Sequence, residues 1–288
     1  MAQKLTNAVL TAHSVEDDMM EKVFKSLVIT TCIATLLLIS CAQLGAQEAS
    51  HVPVKNVVTS LGTIYCVDQD FLPSLETKIS QLRQVVRSER AKGKFVGYIS
   101  IPLSPAGGGT TDINTKVSAE VKQYLEAEYG GRIWMLAPGA EEATIPSVNE
   151  KRPRGQEYMY MWTEILAGED GRGRDFDLFY FVGPSDFWRA LSLTPKTSIA
   201  SLQDLADKAG LDVDAKRMFV SYYAFRASAT ASKGAHDEWN MLRIINEKRR
   251  ADRSFGIGSQ IASYFDGHAV TIDGTEGSVS TGYEGGCQ

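Results

Sequence analysis

The chain has 288 residues and a formal net charge of −5, with 43% hydrophobic, 9% aromatic and 23% charged residues. That length fits one large domain or two small ones, and the composition is that of a folded globular protein rather than a disordered or fibrous one. The acidic balance argues against a nucleic acid polymer as partner, because such partners select clustered cations.

In chain order, the first pattern is a leader. Lys22 and Lys25 precede an apolar run over residues 27–39. A basic segment before such a run reads as a secretory signal, and the run is short for a helix that spans a membrane. The start of translation is then expected at Met19 or Met20. The run closes on Leu38-Ile39-Ser40-Cys41, which resembles the bacterial lipobox. The resemblance implies lipidation of Cys41 as the first mature residue, with plain secretion or an uncleaved anchor as the alternatives. Under the sorting rule of Gram-negative lipoproteins, Ala42 lacks the aspartate that retains the protein at the inner membrane. The expected organisation is a leader over 1–41, a tether over 42–55 and one domain over 56–288. The expected location is the periplasmic side of a bacterial envelope, with membrane contact through the lipid anchor only.

Four cysteines are present. Cys32 falls in the leader and Cys41 at the lipidation position, which leaves Cys66, in the strand-like "TIYCVD", and Cys287. An even pair in an oxidising compartment reads as a disulfide, and two unpaired thiols are the alternative.

Leu75, Ile79, Leu82, Val85 and Val86 recur at helical spacing, with Gly93 as the stop. Residues 94–103, "KFVGYISIPL", read as a buried strand that ends in "SPAGGGTTD". Ile113, Val117, Val121 and Leu125 mark the next helix, with Asp112 as its cap and Gly130-Gly131 as its end. "RIWMLAP" is a second strand, residues 158–166 a helix, and "FDLFYFVGP" a third strand. Helices dominate residues 198–250, with a break at Lys233-Gly234 and a helical insertion over about 190–231. The basic run "EKRRADR" closes the last helix, where solvated cations complement the dipole. Asp266-Gly267 then signals a hairpin. Strands alternating with helices predict an α/β fold with a mainly parallel, Rossmann-like sheet, flanked by helices and finished by a C-terminal β-hairpin. Ligands in such sheets bind outside the carboxyl ends of the strands.

Gly107, Gly108 and Gly109 follow the first of these strands. They could bring backbone amides up to a phosphate or sugar oxygen, or simply make a flexible loop. Their spacing fits neither dinucleotide nor P-loop patterns. Gly183-Pro184-Ser185 follows the third strand, but Phe187 stands where a nucleophile elbow needs a small residue, which argues against serine hydrolase chemistry. His51, His236 and His268 have no metal-ligand spacing, so neither a metal nor a cofactor is expected. His236-Asp237 reads as a polar pair at a helix start. Glu238 shares a helix face with Met241, Leu242 and Ile245, so its carboxylate heads an apolar stripe. A buried carboxylate is costly unless bonded. It is either a structural acid, held by backbone amides or Arg226, or a catalytic group.

Three segments resemble the nucleoside 2-deoxyribosyltransferase-like superfamily. They are Tyr98-Ile99-Ser100-Ile101-Pro102-Leu103, the Asp177-led third strand, and "SKGAHDE" from Ser232 to Glu238. The resemblance implies cleavage or transfer of an N-glycosidic bond in a nucleoside or nucleotide-like small molecule. Glu238 would be the nucleophile and Tyr98 would position the sugar or the glutamate. Asp177 is a further catalytic match and Asp186 a local candidate for the acid. Ser100, Ser232 and Gly234 join the three loop glycines as expected ligand contacts. Ile101 stands where that family has glycine, and the stretch between the third strand and Ser232 is longer than in the family. The competing reading is a non-catalytic envelope lipoprotein that binds a small polar ligand at the same face. A protein partner is also open, through aromatics such as Trp162 or Trp188.

Overall fold

The structure is a computed structural model, and it describes residues 53–103, 106–139, 144–252, 254, 256, 259–275 and 277–287. The leader, the lipidation position Cys41 and the tether up to residue 52 lie outside the described residues.

An antiparallel hairpin comes first, β1 (Val54–Val58) and β2 (Ile64–Asp68). β1 starts two residues inside the expected tether, because Val54 already pairs with Asp68. Then follow α1 (Leu72–Ala91), β3 (Phe95–Ser100), α2 (Thr111–Glu128), β4 (Ile133–Leu136), α3 (Gly155–Ala167) and β5 (Leu178–Phe181). Three helices fill the expected insertion and begin slightly before it: α4 (Pro184–Ala190), α5 (Ser198–Lys208) and α6 (Val213–Phe225). The long α7 (Lys233–Ala251) leads to the closing hairpin of β6 (Ala262–Phe265) and β7 (His268–Val270).

The main sheet has the order β4-β3-β5-β6-β7, parallel except for the antiparallel β6–β7 pair. This is the Rossmann-like α/β architecture that alternating strands and helices impose. Alternation along β3 sends Val96 and Tyr98 into one hydrophobic layer and Ile99 into the other, as the two-residue period of a strand requires. The first layer packs α1, α3, α7 and β2 against the sheet. The second packs α2 and α4 to α6 against the opposite face.

Several local expectations are corrected. Thr110, not Asp112, caps α2: its hydroxyl accepts from the Ile113 amide while Asp112 sits in the first turn. Val85 leaves the apolar stripe of α1 and is 40% exposed. The basic run at the end of α7 is not all solvated. Arg249 is buried and donates to the carbonyls of Arg172, Gly173, Phe176 and Ser259. Those carbonyls lie outside the helices and strands, and one forked guanidinium bonds all four.

Cys66 and Cys287 form a disulfide, with Cα atoms 4.8 Å apart and a sequence separation of 221. On the chain-entropy model, closing a loop of that length stabilises the fold by about 5 kcal/mol.

Candidate active site

A cleft of about 750 Å³ opens beyond the carboxyl ends of β3 and β4. Ile101, Pro102 and Leu103 leave β3 along one wall, and Pro138 and Gly139 leave β4 along another. The first turns of α3 and α7 and the end of α6 supply the remaining sides. The site therefore lies where open α/β sheets place their ligands.

Glu238 lies in the second turn of α7. Ser232 caps that helix by accepting from the Ala235 amide at 3.3 Å, and both Ser232 and Gly234 line the cleft. Glu238 is 5% exposed and also lines the cleft. Its Oε1 accepts from the Tyr98 hydroxyl at 2.6 Å, and its Oε2 accepts from the Ser100 hydroxyl. Tyr98 and Ser100 are two residues apart on β3, so both point to the same side of the sheet. Tyr98 is itself wedged between the rings of Trp162 and Phe179, each 5.4 Å away between centroids.

Neither bonding scheme expected for a structural glutamate is found. Its partners are hydroxyls, not Arg226 or backbone amides. Arg226 instead donates to the carbonyl of Gly107 at 2.7 Å. Burial pushes the Glu238 carboxyl from its ordinary 4.5 up to about 7, against the pull of Ser100 and Tyr98 and with a small push from the neighbouring Asp237. Near neutral pH the group is thus poised between its two protonation states. Burial and the adjacent glutamate hold the Tyr98 phenol well above its usual range, so it stays a donor.

Asp177 and Asp186 do not join this site. Asp177 precedes β5, at the amino edge of the sheet and away from the cleft. There it pairs with Arg90 at 2.6 Å and accepts from the Val96 amide. Asp186 sits at the carboxyl end of β5 but under the other face of the sheet. It accepts from the Tyr180 hydroxyl, the Gly183 amide and Arg189, and so fixes the start of α4. A strand sends alternate residues to opposite faces, and Tyr180 belongs to the layer that Tyr98 does not. The same alternation turns Ile101 into the second layer, where it is buried.

The loop glycines have a packing role. A side chain at Gly108 would meet the backbone carbonyl of Met218 at 2.5 Å, and one at Gly109 would meet the Tyr222 ring at 2.7 Å. Their lack of side chains lets the loop press onto α6. Of the three, only Gly107 lines the cleft.

Several cleft residues carried no legible motif. Arg154, Arg226 and Lys233 bring positive charge to the walls. Arg154 is oriented by the buried Glu157, which accepts from its guanidinium at 2.8 Å. Tyr158, Trp162 and Tyr283 make an aromatic lining. Trp162 is 3% exposed, so it serves core and cleft rather than a protein partner. Trp188 is partly buried against the second layer. His236 bonds to Ser280 and to the Thr230 carbonyl, while Asp237 turns away from the cleft and receives the amides of Gly282, Tyr283 and Glu284.

Comparison with protein families, curated proteins and solved structures finds no match for this chain.

Proposed function

We propose that the chain is an exported enzyme that cleaves or transfers the N-glycosidic bond of a nucleoside or nucleotide-like substrate, with Glu238 as nucleophile. One observation carries this reading. A carboxylate poised near neutrality, held by two hydroxyls, forms part of the wall of a cleft at the carboxyl ends of the strands. Buried acids with shifted ionisation in a cleft are the usual mark of acid, base or nucleophile chemistry.

In the proposed reaction an ionised Glu238 oxygen bonds to the anomeric carbon as the carbon–nitrogen bond breaks. The base leaves with the bonding pair and takes a proton from water in the cleft. A second water, or an acceptor base, then attacks the same carbon, gives its proton to the hydroxide left by the first water, and releases the carboxylate. Two easier displacements replace a difficult one. The transition state gathers positive charge on the sugar, and the carboxylate stabilises it. Tyr98 and Ser100 fix the two oxygens, so the attack geometry is set before the substrate arrives. The aromatic lining suits the flat face of a base.

Export and lipid anchoring at Cys41 belong to the same proposal. The apolar run before Leu38-Ile39-Ser40-Cys41 and the Cys66–Cys287 disulfide support them, since disulfides persist in oxidising compartments.

The experiment is base release from a panel of purine and pyrimidine nucleosides and their 5′-phosphates, followed by chromatography. Wild type should release base from at least one, and Glu238→Gln from none. A panel left intact, or a fully active Glu238→Gln, removes the enzymatic reading. Thermal stabilisation by a panel member without turnover would favour a ligand-binding lipoprotein instead. For export, mass spectrometry of the mature protein should find Cys41 as a lipidated first residue, and a mature chain that retains residues 27–39 contradicts cleavage.

A further inference from the structure

The end of the chain forms a strap across one side of the cleft. Three residues of α7 grip it. Asn240 exchanges two hydrogen bonds with the backbone of Val279, at 3.0 and 3.1 Å. His236 meets the Ser280 hydroxyl at 3.0 Å. The carboxylate of Asp237, 1% exposed, accepts from the amides of Gly282 and Tyr283 at 2.7 Å and of Glu284 at 3.2 Å. Beyond this grip the strap joins the β1–β2 hairpin. The Gly285 amide donates to the Ile64 carbonyl at 2.8 Å, the Cys287 amide donates to Asn56 at 2.6 Å, and the disulfide to Cys66 closes the connection.

From within the Asp237 grip the strap delivers one side chain to the cleft, Tyr283. The Cδ1–Cε1–Cζ edge of its ring lies against the first turn of α3, so close that any side chain at Gly155 would overlap it. The preceding Gly282 is pressed equally close to the backbone of Lys233 at the start of α7. The Gly282-Tyr283 step thus packs against the first turns of both α3 and α7, which line the cleft. Tyr283 shares the lining of the cleft with Tyr158 and Trp162.

We infer that Tyr283 is a specificity-determining residue, which limits the size of the aromatic group that the cleft accepts, and that the disulfide-anchored strap holds it in that place. The inference rests on the cleft of the proposed glycosidase, but it concerns who enters rather than what reacts. Neither neighbour of Tyr283 in sequence performs this function, because Gly282 has no side chain and Glu284 does not line the cleft. Without the anchorage, the side chain would have many rotamers and a moving backbone, and the wall it makes would be lost.

The test uses the full folded domain and a bulky aromatic probe, 8-anilinonaphthalene-1-sulfonate, whose fluorescence reports binding. Tyr283→Ala should tighten its dissociation constant at least tenfold, and Tyr283→Phe should leave it within twofold of wild type. An unchanged constant in Tyr283→Ala, or no binding by any form, overturns the inference. The strap is read separately by hydrogen–deuterium exchange of the Gly282, Tyr283 and Glu284 amides. Reduction of the disulfide with a phosphine should speed their exchange at least a hundredfold while the amides of α3 stay protected. Unchanged exchange overturns the anchoring role, as does exchange lost in α3 together with the strap. Neither readout needs turnover. A chain that releases no base leaves this inference standing, and a chain that releases base with both readouts unmoved removes this inference alone.

Discussion

The Tyr98 hydroxyl donates to Glu238 Oε1 at 2.6 Å, joining a strand to a helix 140 residues further along the chain. This bond, with its companion from Ser100, keeps a carboxylate at the cleft wall that burial alone would drive towards its neutral form. What results is an acid whose charge is kept available at a stability cost.

That cost has a sign. The folded state holds the Glu238 proton up to about pH 7, whereas the unfolded chain releases it near 4.5. The contribution to stability is therefore fully present below pH 4.5 and lost as pH rises through about 7. Above pH 7 the deficit is on the order of 3 kcal/mol. Glu238→Gln should raise the melting temperature at pH 8 and leave it nearly unchanged at pH 4.5. Equal shifts at both pH values would show that ionisation of this group is not what the fold resists.

Tyr98→Phe removes one donor to the charged form. A hydrogen bond to an ionised group is worth about 1.5–3 kcal/mol, so the Glu238 carboxyl should titrate at least about one pH unit higher. Carbon-13 shifts of labelled glutamate would follow this directly. In turnover, the rising limb of the pH–rate profile should move from about 7 to more alkaline pH. Ser100→Ala should act in the same direction, and a profile unmoved by both variants would separate these hydroxyls from the carboxylate.

Asp177→Asn should keep base release within about twofold, although Asp177 heads a strand that resembles a catalytic segment. Its partner Arg90 is partly exposed, and such pairs contribute only about 0–1 kcal/mol. Loss of turnover without loss of fold would return Asp177 to the site.

Arg249→Met should destabilise the domain by about 3 kcal/mol or more, because four carbonyls lose a buried charged donor at once. Urea unfolding measures it. A midpoint like that of wild type would mean that the surrounding segments are held by other contacts.

Much of the sheet was legible because periodicity is a local property. Val96 and Tyr98 alternate with Ile99, and the stripe through Met241, Leu242 and Ile245 repeats at helical spacing, whatever lies opposite. The same stripe marked Glu238 as buried, and it is. Arg249 was misread for a complementary reason. A basic run at a helix end looks solvated until loops that are distant in sequence supply carbonyls to it. The hairpin strand β1 was missed because its burial is patchy, with exposed residues at positions that no single pattern explains.

Asp177 and Asp186 show a sharper limit. Asp177 opens the third strand expected from the sequence and Asp186 follows it, yet one lies at the amino edge of the sheet and the other under its second face. Sequence order cannot tell a carboxylate at the start of a strand from one at its end in terms of what each can touch. Tyr283 shows the limit from the other side: nothing in "TGYEGGCQ" announces a cleft residue.

By itself the sequence determined the alternation of strands and helices and the burial of one acid on an apolar helix face, and it favoured the pairing of Cys66 with Cys287 without fixing it. Each depends on spacing or composition, which a chain carries before it folds. Only the tertiary structure decided which hydroxyls meet that acid, which carboxylates stand away from it, and that Tyr283 lines the cleft. Those contacts join segments far apart in the chain, and only packing of the two layers brings them within hydrogen-bond reach.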